Sequence, residues 1–186
     1  RFNGIRSGAA IYQPLDDEFP TEGRVFGGWS PHIEDRGSPF DVEFGFTYYA
    51  TLNAAPGFAD DDRFEPFAKL TLDTVLEPRL IGAYNTEQDA CLLEGGLSHY
   101  FTLGALNGVE VDVDSGYVNP EDADGHAYAE GKLDLVRNFL NGVEGYIGLR
   151  GAVSDEQLYL GDVTALGPRY DKDGKAWVSV GLSAQF

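Results

Sequence analysis

The chain has 186 residues, 42% of them hydrophobic and 13% aromatic, which suits one domain over residues 1–186 with a real core, or one closed barrel. A formal charge of -18 and a sequence pI near 4.3 argue against nonspecific attraction to nucleic acid or anionic lipid, because like charges repel. One cysteine, Cys91, excludes an internal disulfide, and no Cys/His cluster supports a zinc site.

With 24 Gly, 12 Phe and 10 Tyr, the composition leans towards strands and turns. No run approaches the roughly 18 apolar residues of a membrane helix, and the opening RFNGIRSG has no apolar signal region. In chain order, a weak strand is expected over residues 5–15, then one over 24–33 (RVFGGWSPHI). Residues 40–52 are clearer, with Phe40, Val42, Phe44, Phe46, Tyr48 and Ala50 on one face opposite Asp41, Glu43, Gly45, Thr47 and Tyr49. Further strands fall near 64–74, 79–86 and 89–101, the last placing Cys91 with Leu93, Leu97 and Phe101 on an apolar face, a small hydrophobe in role.

The pentapeptide LNGVE then occurs twice, at 106–110 and 140–144. Asn-Gly is a hairpin signal, since a type I′ turn needs positive φ at both central residues, so both copies are expected to be such turns. After the first, Val109, Val111 and Val113 alternate with Glu110, Asp112 and Asp114. Between the copies, Ala127, Ala129, Gly131, Leu133 and Leu135 face away from Tyr128, Glu130, Lys132 and Asp134, a period of two that rules out a helical repeat. After the second, Val143, Ile147, Leu149 and Val153 alternate with Glu144, Tyr146 and Arg150. The final KAWVSVGLSAQF sets Ala176, Val178, Val180, Leu182, Ala184 and Phe186 against Lys175, Trp177, Ser179, Gly181, Ser183 and Gln185.

The fold class is therefore all-β, an antiparallel up-and-down barrel of about ten strands, with eight or twelve as the alternatives. Connections at the Asn-Gly pole are short (VLEPR, GALNG, NFLNG), whereas those opposite are mostly longer and acidic (NAAPGFADDDR, VNPEDADG and the stretch 154–175). That asymmetry is the one seen in bacterial outer-membrane barrels. Alternation alone leaves open which face meets water. In a membrane the mid-strand charges must line the lumen, because one facing lipid costs about 2–4 kcal/mol at the midplane. Strands of about ten residues and aromatics at the short-turn pole (Phe101, Phe186) favour the membrane. The lumen-lining set would be Asp41, Glu43, Lys69, Glu94, Glu110, Asp112, Glu130, Lys132, Asp134, Glu144 and Arg150.

The closing VSVGLSAQF resembles the C-terminal signal that outer-membrane barrels present to the barrel assembly machinery, which implies that machinery as a partner through the strand ending at Phe186, with outer-membrane lipid around the barrel. In order, FNGI, AAIYQPL, RVFGGWSPHI, DVEFGFTYY and EPFAKLTLD resemble the TorF-like porins, a proteobacterial outer-membrane group. The resemblance implies a bacterial outer-membrane location and transport, and it carries no catalytic residues. The family usually opens with a further strand ending in an aromatic-Arg-Gly phrase, which RFNG matches poorly.

Two stretches, PEDADGHAYAEG and RYDKDGKAW, imitate EF-hand spacing but put Pro120 and Arg169 at the first ligand position, so neither is an EF-hand. Weaker divalent-cation binding by Asp60, Asp61, Asp62, Asp122, Asp124, Asp171 and Asp173 competes with plain solvated turns, which use the same residues. His32 near a strand end, His99 on the apolar face and His126 in a loop form no Ser-His-acid set, so no enzyme, catalytic residue or cofactor is expected. Three functions follow. The first is a small porin passing solutes or cations by diffusion through an acidic lumen; the second is a nonconducting structural or surface-interaction protein with acidic loops. The third is a soluble barrel binding an apolar ligand.

Overall fold

A computed structural model describes residues 4–15, 21–31, 39–52, 62–87, 89–121, 124–139, 142–154 and 174–185. Ten strands form one closed antiparallel barrel: β1 (Ile5–Pro14), β2 (Glu22–Trp29), β3 (Phe40–Thr51), β4 (Arg63–Leu72), β5 (Arg79–Asn85), β6 (Ala90–Thr102), β7 (Asn107–Pro120), β8 (His126–Asn138), β9 (Val143–Ser154) and β10 (Gly174–Gln185). Each strand pairs with its sequence neighbours, and β1 pairs with β10 to close the ring, Arg6 opposite Gln185 and Pro14 opposite Trp177. Closure satisfies every strand edge internally, the condition for a sheet that crosses hydrocarbon.

The expected strands all form, with shifted ends. β2 stops at Trp29 rather than near residue 33, because Pro31 has no N–H to give a ladder and Ser30 N–H instead donates to Gly4 O at 2.8 Å. β7 and β8 run longer than expected, so the connection between them shrinks to 121–125 and His126 becomes the first residue of a strand, buried, instead of a loop residue. The long connections opposite the short turns are 52–62 and 155–173, whereas 86–89 at the same pole is short, and the connection 30–39 between β2 and β3 lies at the Asn-Gly pole against the expectation that connections there are all short.

Both LNGVE copies sit at one pole, together with residues 73–78 and both ends of the described chain, as expected. The turn assignment is corrected for the first copy. Asn107 and Gly108 are paired strand residues, opposite Arg137 and Val136, and the hairpin closes one turn earlier through Leu103 N–H to Asn107 O at 2.9 Å, with Gly104 at φ 145. Gly108 is needed for space: the Tyr100 ring lies where its Cβ would stand. The second copy keeps a turn role, with Gly142 at φ 74 and Phe139 N–H donating to Val143 O at 2.7 Å. Asn141 lies outside the described residues.

The barrel is apolar outside and polar inside. Exposed on the wall are Phe44, Phe46, Leu80, Leu93, Leu97, Val113, Leu133, Leu135, Ile147, Leu149, Val180 and Leu182, while Glu22, Glu43, Arg63, Glu65, Glu94, Asp112, Glu130 and Asp134 are buried. A soluble barrel has the reverse polarity, so the reading as a soluble carrier of an apolar ligand fails on the side-chain distribution.

Candidate functional site

The lumen contains a cavity of about 260 Å³. Ten of the eleven expected lumen residues line it: Glu43, Lys69, Glu94, Glu110, Asp112, Glu130, Lys132, Asp134, Glu144 and Arg150. Asp41 is exposed at the short-turn end of β3 and does not line the cavity. The strand period placed these side chains, since residues two apart share a face.

Pairing across strands then decides their chemistry. Arg79, on β5, donates to Asp112 through Nη1 at 2.7 Å and Nη2 at 2.5 Å, and also bridges Asp114. Lys132 Nζ lies 3.2 Å from Asp112, 3.4 Å from Glu110 and 3.7 Å from Asp134. Arg150 continues the chain, 3.5 Å from Glu130 and 3.9 Å from Asp134, and its guanidinium carbon lies 4.9 Å from the Tyr12 ring centroid. Separately, Lys69 Nζ sits 2.5 Å from Glu43 on the neighbouring strand. Charges taken out of bulk water need such partners, and the alternation of sign from β5 to β9 supplies them.

The ledger is not neutral. Nine carboxylates line the cavity (Glu43, Glu65, Glu94, Glu110, Asp112, Asp114, Glu130, Asp134, Glu144) against six cations (Arg6, Arg24, Lys69, Arg79, Lys132, Arg150). Of these, Glu65, Asp114, Arg79, Arg6 and Arg24 lie beyond the expected set. Glu65 and Asp114 were legible as mid-strand charges, whereas Arg79 opens β5, and Arg6 and Arg24 sit in strands where Gly and Ala blur the alternation, their guanidiniums stacking near the Phe26 ring, each 5.5 Å from its centroid.

The long-loop end of the lumen is packed differently. Tyr12, Leu92, Val118, Tyr128, Ala152 and Trp177 form a buried cluster there, from β1 and β6 to β10. Tyr128 O–H donates to Glu94 Oε2 at 2.6 Å, tying the cluster to the charged layer beneath. Across the lumen, on β2 to β5, Arg63 Nη2 donates to Glu22 Oε2 at 2.6 Å and stacks 4.2 Å from the Tyr49 centroid, while Asn85 donates to Glu65 at 3.2 Å. Tyr12, Tyr49 and Leu92 line the cavity, whereas Val118, Ala152 and Trp177 belong to the buried cluster without lining it.

Among the described residues no group of three His, Cys, Asp or Glu side chains is placed to hold a metal ion. Of the loop carboxylates, Asp60, Asp61, Asp122, Asp171 and Asp173 lie outside the described residues, as do His32 and Phe186. Asp62 accepts from Tyr48 O–H at 2.5 Å, and Asp124 is exposed. His99 lies at the short-turn pole, its Nδ1 2.6 Å from Val75 O and its ring edge-on to Phe101, while Ser98 N–H donates to Leu76 O at 3.0 Å, so both residues contact the 73–78 turn.

No family model and no curated protein matches the sequence. Among solved structures, the chain is similar to the crystal structure of Neisserial surface protein A, with a TM-score of 0.40 and 10% identity over 98% of this chain and 96% of that one.

Proposed function

We propose that this protein is a bacterial outer-membrane β-barrel whose lumen is shut, a nonconducting structural or surface-interaction protein that carries long acidic loops on one side. The observation that carries this reading is the filled long-loop end of the lumen, where Trp177 is 2% exposed and Val118 is 1% exposed above the charged layer. The membrane part rests on the inside-out distribution of side chains in a closed sheet, since hydrocarbon tolerates only a barrel with an apolar exterior. The short-turn pole would face the periplasm and the acidic connections around Asp60, Asp61 and Asp62 and around Asp171 and Asp173 would face outwards, where partners or divalent cations could meet them. In this reading the terminal strand is the element offered to the assembly machinery.

The purified protein, inserted in a planar bilayer, is expected to pass no discrete current while protease protection or gel mobility reports a folded barrel. Steady unitary steps from the unaltered chain would overturn the reading. The porin reading keeps one observation in its favour, the excess of carboxylates around the cavity, which would favour cations in any open state. In that case Glu110→Lys with Glu130→Lys would shift the reversal potential towards anions.

A further inference from the structure

Every Lys and Arg side chain among the described residues sits on an inward strand position, with one exception. Arg137, near the short-turn end of β8, faces outward and is exposed, on the same face as Leu133 and Leu135. It stands among exposed apolar side chains, with Leu135 before it and Phe139 after it. One step further along the chain's outer face, Phe139 is pressed against the wall over Gly145, whose missing Cβ makes the room; a Cβ there would meet Phe139 and Leu182 at 3.0 Å. The Arg137 guanidinium carbon lies 5.8 Å from the Phe139 centroid, close enough for a cation–π contact that holds the charge near the wall. The register sets Asn107 beside Arg137 on one side and Gly145 on the other. Above the guanidinium, Leu135, Ile147, Leu133 and Leu149 form an exposed aliphatic track in paired rows.

A guanidinium at the edge of an apolar track, with an amide donor beside it, matches one occupant: a lipid whose phosphate sits at Arg137 and whose chain lies along the track. The overall acidity of the protein disfavours nonspecific attraction to anionic lipid, so the site rests on Arg137 itself, with which no carboxylate among the described residues pairs. We propose that Arg137, Phe139 and Asn107 form a binding site for an anionic phospholipid of the short-turn leaflet. This rests on the reading of the chain as a membrane barrel.

The test is native mass spectrometry of the intact chain released from detergent and titrated with phosphatidylglycerol or phosphatidylcholine, with vesicle insertion measured on the same preparations. Arg137→Gln is expected to weaken the first phosphatidylglycerol bound by about fivefold, the effect of one cation near an anionic surface, and to leave phosphatidylcholine unchanged. Arg137→Lys should retain most of that preference. Equal phosphatidylglycerol affinity in the unaltered chain and Arg137→Gln would overturn the site. Failure of the unaltered chain to insert into vesicles of either lipid would instead strike the membrane reading beneath it.

Discussion

The two ends of the lumen solve the same packing problem with different chemistry. Towards the short turns the interior is held by ion pairs around a cavity, with Arg79, Lys132 and Arg150 spaced among carboxylates of β7 and β8. Towards the long connections it is filled by Trp177, Tyr128, Leu92 and Val118, faced by the Arg63, Glu22 and Tyr49 stack. The difference teaches that one barrel interior can be packed by apolar and aromatic side chains at one end and by paired charges around a cavity at the other.

Breaking the charged layer should have the largest effect on stability. Arg79→Met leaves Asp112, only 1% exposed, with a lost partner and is expected to destabilise the barrel by about 3–5 kcal/mol, read from urea unfolding in vesicles. Placing a charge on the opposite side of the wall comes next. Leu149→Arg, on an outward position of β9, should cost about 2–4 kcal/mol in a bilayer if that face meets hydrocarbon, and almost nothing if it meets water. At the junction of the two ends, Tyr128→Phe removes a hydrogen bond to a charged acceptor, Glu94, and should cost about 1.5–3 kcal/mol by the same unfolding assay.

Smaller effects separate the inner wall from the outer one. Gly116 lies under the Tyr128 ring, so Gly116→Ala must displace it, at about 1–3 kcal/mol. Gly82 has open space where a Cβ would stand, and Gly82→Ala should change stability by no more than about 0.5 kcal/mol. A large effect at Gly82 with none at Gly116 would contradict the assignment of faces.

Much of this was legible in the sequence because β-strands report their faces directly. Glu110, Asp112, Lys132 and Asp134 fall on one side of a period of two, and a lipid-facing charge is too costly to leave that ambiguous once the exterior is apolar. Partners were not legible. Arg79 meets Asp112 from 33 residues away, through a register fixed by β5, β6 and β7 together, and alternation within one strand carries no information about it. The packed long-loop end was hidden for a related reason: Tyr128 and Trp177 sit on faces otherwise read as polar, and only the closed ring brings them together with Tyr12, Leu92 and Val118. Gly108 misled in another way. Asn-Gly is a turn signal when positive φ is the need, but here the glycine makes room for Tyr100, a requirement set by a residue on the neighbouring strand.

The central claim is that the outside of the barrel meets lipid and the inside does not, and the chain's two tryptophans report on it separately. Trp29 faces outward at the end of β2 and is 52% exposed, whereas Trp177 is 2% exposed within the lumen. The most direct measurement is fluorescence quenching by lipids with brominated acyl chains, on Trp177→Phe and Trp29→Phe variants refolded into vesicles. Strong quenching of the chain that retains Trp29, with much weaker quenching of the one that retains Trp177, is the predicted result. Equal quenching of both, or none of Trp29 in a folded and inserted barrel, would contradict it.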